Sequence, residues 1–121
     1  MTDSAFVIDD EIFIALDIEN HLVDLGFDII GPASKLDEGF DIINESSEKP
    51  DIAVMDINIG GDLVWPLARK LHDEGTKVIF ISANCNHKEL DTEFKDCPVV
   101  DKPASYENIA DAIELARESL G

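Results

Sequence analysis

Ile52-Ala53-Val54-Met55-Asp56 is a run of four apolar residues closed by a carboxylate. A run this short and continuous fits a strand buried on both faces, as in a parallel sheet, better than an amphipathic helix. The same pattern recurs on either side of it. Ala5-Phe6-Val7-Ile8 is closed by Asp9-Asp10, Val78-Ile79-Phe80-Ile81 by Ser82, and Val99-Val100 leads to Asp101-Lys102. Polar groups at the carboxyl ends of parallel strands converge on the sheet edge where α/β proteins bind ligands.

Strand and helix patterns alternate five times across the 121 residues, which reads as a single βα-repeating domain. Strands are expected at residues 5–8, 27–30, 51–55, 77–81 and 98–100. Ala15, Ile18, Leu22 and Leu25 have helical spacing, with Gly26 as C-terminal cap. Gly31-Pro32 is expected to stop the second strand, and a weaker helix to span 35–45 with Leu36, Gly39, Phe40 and Ile43 on one side. Gly60-Gly61 is read as loosening the loop after Asp56, and Asp62 as N-cap of a helix through Glu74 with Pro66 near its first turn. Val64, Leu67, Ala68 and Leu71 form that helix's apolar stripe. A short polar helix is expected over 86–94. The last helix follows Ser105, with Ile109, Ala112, Ile113, Ala116 and Leu120 on its buried face.

Twenty-seven acidic against nine basic residues give a formal charge of −18, which repels nucleic-acid phosphates and anionic membranes. Neither nucleic acid nor membrane is therefore an expected partner. Met1-Thr2-Asp3-Ser4 lacks a basic leader, and no apolar stretch reaches the ~20 residues that span a bilayer. Cys85 and Cys97 have no metal or redox spacing and are read as reduced thiols, so a cytoplasmic location is expected. His21, His72 and His87 are read as surface residues.

Asp9, Asp10 and Asp56 meet if the first and third strands are neighbours. Three carboxylates so close repel one another unless a cation intervenes, and an all-oxygen site at an open edge suits Mg²⁺ or Mn²⁺ rather than zinc. A carboxylate can attack phosphorus, and phosphoryl transfer then needs chiefly positioning and charge neutralisation. Asp56 is the best nucleophile, with Lys102 and Ser82 as the groups that meet phosphoryl oxygens.

Val7-Ile8-Asp9-Asp10-Glu11, Val54-Met55-Asp56-Ile57-Asn58, Ile81-Ser82-Ala83 and Asp101-Lys102-Pro103 resemble the four signatures of CheY-like receiver domains of two-component response regulators. The resemblance covers the whole chain. It implies a flavodoxin-like (βα)5 three-layer α/β sandwich with a parallel five-stranded sheet of order 2-1-3-4-5, residues 1–121 forming one stand-alone receiver domain without an output domain. It implies a phosphorelay signalling switch rather than an enzyme. Asp56 would take a phosphoryl group from a partner histidine kinase or histidine phosphotransfer protein, and pass the signal to a downstream protein or shuttle the group onward. Asp10 would bind Mg²⁺ directly, Asp9 partly through water, Asp56 through its carboxylate and Asn58 through its backbone carbonyl. Ser82, Ala83 and Lys102 would lie against the phosphoryl oxygens, and the Lys102–Pro103 bond would be cis. A monomer or weak homodimer is expected.

Three positions depart from the family pattern. Val99 stands at the usual aromatic switch position, Ala104 follows Lys102-Pro103, and Gly60-Gly61 occupies a loop that often carries proline. Val99 is β-branched and too short to swing between surface and pocket. Output is accordingly expected through ordering of the polar segment 83–94. The chain is also similar to a subgroup of stand-alone receivers with Phe-Ala-Thr-Gly on the fourth strand, of which Phe80 and the Ser82 hydroxyl remain. The alternative function is a small Mg²⁺-dependent aspartyl-phosphate phosphatase. Such an enzyme usually needs a second aspartate where this chain has Asn58, and a substrate cap.

Overall fold

A computed structural model describes residues 3–84 and 86–118. Cys85 and the Leu120 end of the last helical face lie outside the described residues, as does the Met1-Thr2 terminus. The chain runs β1 (Ser4–Ile8), α1 (Ile12–Asp24), β2 (Asp28–Ala33), α2 (Leu36–Glu45), β3 (Ile52–Asp56), β4 (Asn58–Ile59), β5 (Asp62–Leu63), α3 (Trp65–Asp73), β6 (Lys77–Ser82), α4 (Lys88–Asp91), β7 (Val99–Asp101) and α5 (Tyr106–Glu118). Five strands form one sheet, β2-β1-β3-β6-β7, with every neighbouring pair parallel. Apart from the β4–β5 hairpin, this is the flavodoxin-like order 2-1-3-4-5.

The period of two along each strand divides the core between the sheet's two faces. Phe6, Ile8, Ala53, Met55, Val78 and Phe80 pack with Leu67, Leu71, Leu90 and Phe94 on one side. Ala5, Val7, Ile52, Val54, Ile79 and Ile81 pack with Ala15, Ile18, Leu22, Ile109 and Ile113 on the other. All five residues of β3 are buried, so its terminal Asp56 is carried into the interior by its own strand. Gly26, at φ 95°, ends α1 as its spacing implies. Ser105 Oγ accepts the Asn108 N–H at 3.1 Å, while Asn108 Oδ1 accepts the Ser105 N–H at 3.2 Å, a reciprocal cap for α5.

Several local expectations are corrected. The second strand does not stop at Gly31-Pro32 but continues to Ala33, with a register shift against β1 between Phe6 and Ile8. β2 is a sheet edge, where proline's missing N–H costs no ladder bond. Gly31 sits at φ 101°, and a Cβ there would lie 3.1 Å from the Val7 carbonyl. Asp62 does not cap a helix. It pairs with Ile59 in an antiparallel hairpin, and α3 begins only at Trp65 with Val64 as N-cap and Pro66 in its first turn. Gly60 and Gly61 are not loose: their φ values of 61° and 97° are both positive, as a type I′ hairpin turn requires. The 86–94 helix shrinks to Lys88–Asp91, followed by turns that nonetheless bury Phe94. His21 and His87 are half-buried rather than superficial, their rings edge-on to Tyr106 and Trp65. Among the described residues no helix is long and apolar enough to cross a membrane.

Candidate functional site

The parallel register aligns the carboxyl ends of β1, β3, β6 and β7, so the residues that close or follow these strands share one edge. Lys102, just beyond β7, places its Nζ 3.0 Å from Asp56 Oδ2 and 3.2 Å from Asp9 Oδ2. A third carboxylate, Glu11 Oε1, lies 3.1 Å from the same ammonium. One carboxylate oxygen from each of Asp9, Asp10, Glu11 and Asp56 lies within 4.8 Å of all the others.

Burial sets the electrostatics of this cluster. Asp9 and Asp56 are withdrawn from water at the base, whereas Asp10 and Glu11 are exposed. Burial pushes the Asp56 carboxyl up to about 6, the Lys102 hydrogen bond opposes it, and the neighbouring Asp9 and Asp10 charges raise it further. Burial also raises Asp9, against the Glu11 N–H and the Lys102 charge. For Lys102, burial favours the neutral amine. The Asp56 hydrogen bond and the charges of Asp56 and Asp9 outweigh it, so the ammonium is held above its ordinary range.

The donor set fits a hard divalent cation. It consists of oxygens alone, at an open edge. Asp9 Oδ1 accepts the Glu11 N–H at 2.8 Å, whereas among the described residues the buried Asp9 Oδ2 meets only the Lys102 ammonium, 3.2 Å away. A cation bound by these carboxylates would neutralise their mutual repulsion and the charge of an incoming phosphoryl group.

The other expected residues surround this cluster. Asp10 Oδ2 accepts the Gly60 N–H at 2.9 Å, which ties the β4–β5 hairpin to the site. Asn58 lies in that hairpin, with its side-chain oxygen accepting the Gly61 N–H at 2.9 Å. Ser82 ends β6 and its hydroxyl donates to the Asn84 carbonyl at 2.8 Å while accepting the Asn84 N–H at 3.1 Å. Ala83 follows, exposed. Val99 begins β7 opposite Phe80 and is partly exposed, and the Lys102–Pro103 bond is cis.

Two features escaped the sequence reading. Glu11 was visible beside Asp9-Asp10, but nothing in its spacing foretold that it folds back onto Lys102. Trp65 packs parallel to Phe94 and edge-on to Phe80 and His87, which joins the start of α3 to the segment after Ser82. Cys97 is free, and burial pushes its thiol up to about 11, as befits an inert reduced cysteine.

No family model matches the chain, and neither does any curated protein sequence. Solved structures do match over nearly its whole length. The receiver domain of the PhyR response regulator from Erythrobacter litoralis superposes with a TM-score of 0.81 at 24% identity, covering 97% of this chain and 91% of that one. PhyR from Brucella abortus gives 0.79 at 30% identity, covering 96% of this chain and 48% of that one. A response regulator protein from Burkholderia pseudomallei, described with a phosphorylated aspartic acid, a calcium ion and citrate, gives 0.79 at 23% identity, covering 96% and 69%. With its sheet order and these neighbours, the chain has the fold of the response-regulator receiver domains.

Proposed function

We propose that the protein is a phosphorylation-dependent signalling switch in a two-component phosphorelay, with Asp56 as phosphoacceptor. One observation carries this reading: the Asp56 carboxylate stands at the end of the central buried strand, 3.0 Å from an ammonium and within 4.8 Å of three further carboxylates. The Burkholderia protein of the same fold, described with a phosphorylated aspartic acid and a calcium ion, supports it. The phosphoryl donor is a phosphohistidine on a kinase or phosphotransfer protein.

Each residue has a distinct task. Asp56 offers a carboxylate oxygen to phosphorus, with its access to solvent limited by its strand. Asp9, Asp10 and Asp56, with the Asn58 backbone carbonyl, would hold Mg²⁺ or Mn²⁺, which would supply positive charge for the phosphoryl oxygens. Lys102, whose Nζ lies 3.0 Å from Asp56 Oδ2, supplies a positive group of the chain's own. Ser82 donates to a phosphoryl oxygen after its hydroxyl turns away from the Asn84 carbonyl, with Ala83 beside it. That turn orders the segment 83–94, which carries His87 against Trp65, and Val99 takes no part in it. Output passes to a downstream protein through the altered surface, or onward as the phosphoryl group itself.

The test is transfer of label from a panel of autophosphorylated histidine kinases. Labelling of the wild type by at least one kinase, and its loss in Asp56→Asn, is the expected result. Equal labelling of the two proteins refutes the assignment.

A further inference from the structure

Three carboxylate oxygens surround the Lys102 ammonium, and they differ sharply in exposure. The side chains of Asp9 and Asp56 are 0% and 7% exposed, that of Lys102 is 11% exposed, and that of Glu11 is 60% exposed. Hydrogen bonds run from Nζ to Asp56 Oδ2 at 3.0 Å and to Glu11 Oε1 at 3.1 Å. Glu11 occupies the N-cap position of α1 without capping it through its side chain. Its carboxylate is spent on Lys102 instead, from the solvent side, where a phosphoryl group must arrive.

We propose that Glu11 is a positioning residue acting through Lys102: it holds the ammonium over Asp56 in the resting protein and must release it for a phosphoryl oxygen to bind. The inference rests on the phosphoacceptor reading above. A phosphoryl oxygen that reaches Lys102 takes the place of one of its present partners. Asp9 is fixed by its burial and by the Glu11 N–H, and Asp56 is the nucleophile itself. Glu11 is the partner on a flexible, exposed side chain, so Glu11 is the one that yields. Holding and releasing have opposite consequences. The hold keeps Lys102 aimed at the site, but each phosphorylation must first break an ion pair, so Glu11 slows acceptance of the group.

Acetyl phosphate tests this with balanced chemistry. Asp56 Oδ forms a bond to phosphorus while the phosphorus–oxygen bond to the acetyl group breaks, the electron pair leaves with acetate, and no proton moves. Labelling rates of the full chain in Mg²⁺ are followed by intact mass for wild type, Glu11→Gln and Glu11→Asp. The glutamine variant should be labelled about two- to fivefold faster, the scale of an ion pair exposed on one side. The aspartate variant keeps the charge but is one methylene too short to reach Nζ, and should also be faster. In the metal-free protein, NMR of the ¹⁵N-labelled lysine ammonium, assigned by its loss in Lys102→Arg, should show faster exchange with water in both variants.

Unchanged rates and unchanged ammonium exchange overturn the proposal. So does acceleration confined to Glu11→Gln, which would mean only that the donor anion is repelled by charge. A tenfold loss of Mg²⁺ affinity in Glu11→Gln would make Glu11 a cation ligand instead and equally overturn it. A wild-type protein that acquires no phosphoryl group removes the phosphoacceptor reading and this inference with it, an outcome distinct from normal labelling at an unaltered rate in the variants.

Discussion

Replacing Asp56 by asparagine should stabilise the metal-free protein, although it removes an ion pair with Lys102. Burial and the Asp9 and Asp10 charges lift the folded-state value of this carboxyl from 3.8 to about 6. The lift survives the opposing pull of Lys102, so the ionised form is a net liability to the fold. Two units correspond to about 3 kcal/mol at neutral pH. Solvent around the exposed Asp10 and Glu11 screens part of the repulsion and reduces this to about 1–2 kcal/mol. Asparagine keeps the shape and removes the charge, while Lys102 retains Asp9 and Glu11. The sign follows from linkage: a carboxyl easier to protonate in the folded state costs no stability below 3.8, and the cost grows until pH passes about 6. Thermal unfolding in a chelator should therefore show Asp56→Asn melting above wild type at pH 7, by about 4 °C per kcal/mol for a chain of this size. The gap should close as pH falls toward 4. A variant that melts at or below wild type at pH 7, or a gap that does not change with pH, refutes the reasoning.

Other consequences are independent of that one. Gly60→Ala and Gly61→Ala should each cost about 1 kcal/mol in urea denaturation, because both positions hold positive φ with open space around them; a cost near zero would contradict the I′ turn. Mg²⁺ at about a hundred times its dissociation constant should add about 2.7 kcal/mol to wild-type stability, and clearly less to Asp10→Asn at the same concentration. Equal gains would place the cation elsewhere. Phosphorylation, or a phosphoryl mimic, should change amide exchange across 83–94 and the fluorescence of the chain's single tryptophan, which packs edge-on to His87. Unchanged protection there, with changes confined to Val99 and its neighbours, would sink the ordering mechanism.

The sheet was legible because its strands are runs of apolar residues that end abruptly in a polar group. Ile8 to Asp9, Met55 to Asp56 and Ile81 to Ser82 each mark both a strand end and a position at one edge. Period-two alternation was not needed, since both faces of these strands are covered. The hairpin was hidden by its brevity. Asn58-Ile59 and Asp62-Leu63 are too short for any period to show, and Asp62 looks equally like a helix cap. β2 ran past Gly31-Pro32 because an edge strand tolerates a residue that would break a central one, and edge position is a property of the whole sheet. The contact between Glu11 and Lys102 spans 91 positions, and no local pattern encodes it. Trp65, Phe80, His87 and Phe94 came together for the same reason, through the packing of three separate elements.

The central claim is that Asp56 forms an acyl phosphate, and intact mass measures this most directly. Wild type, Asp56→Asn and Lys102→Ala are incubated with acetyl phosphate and Mg²⁺ and weighed against untreated samples. The account predicts one added phosphoryl group in wild type, none in Asp56→Asn, and slower labelling or altered lifetime in Lys102→Ala, with the label lost on mild alkaline treatment. An Asp56→Asn protein that gains the same mass at the same rate would contradict it.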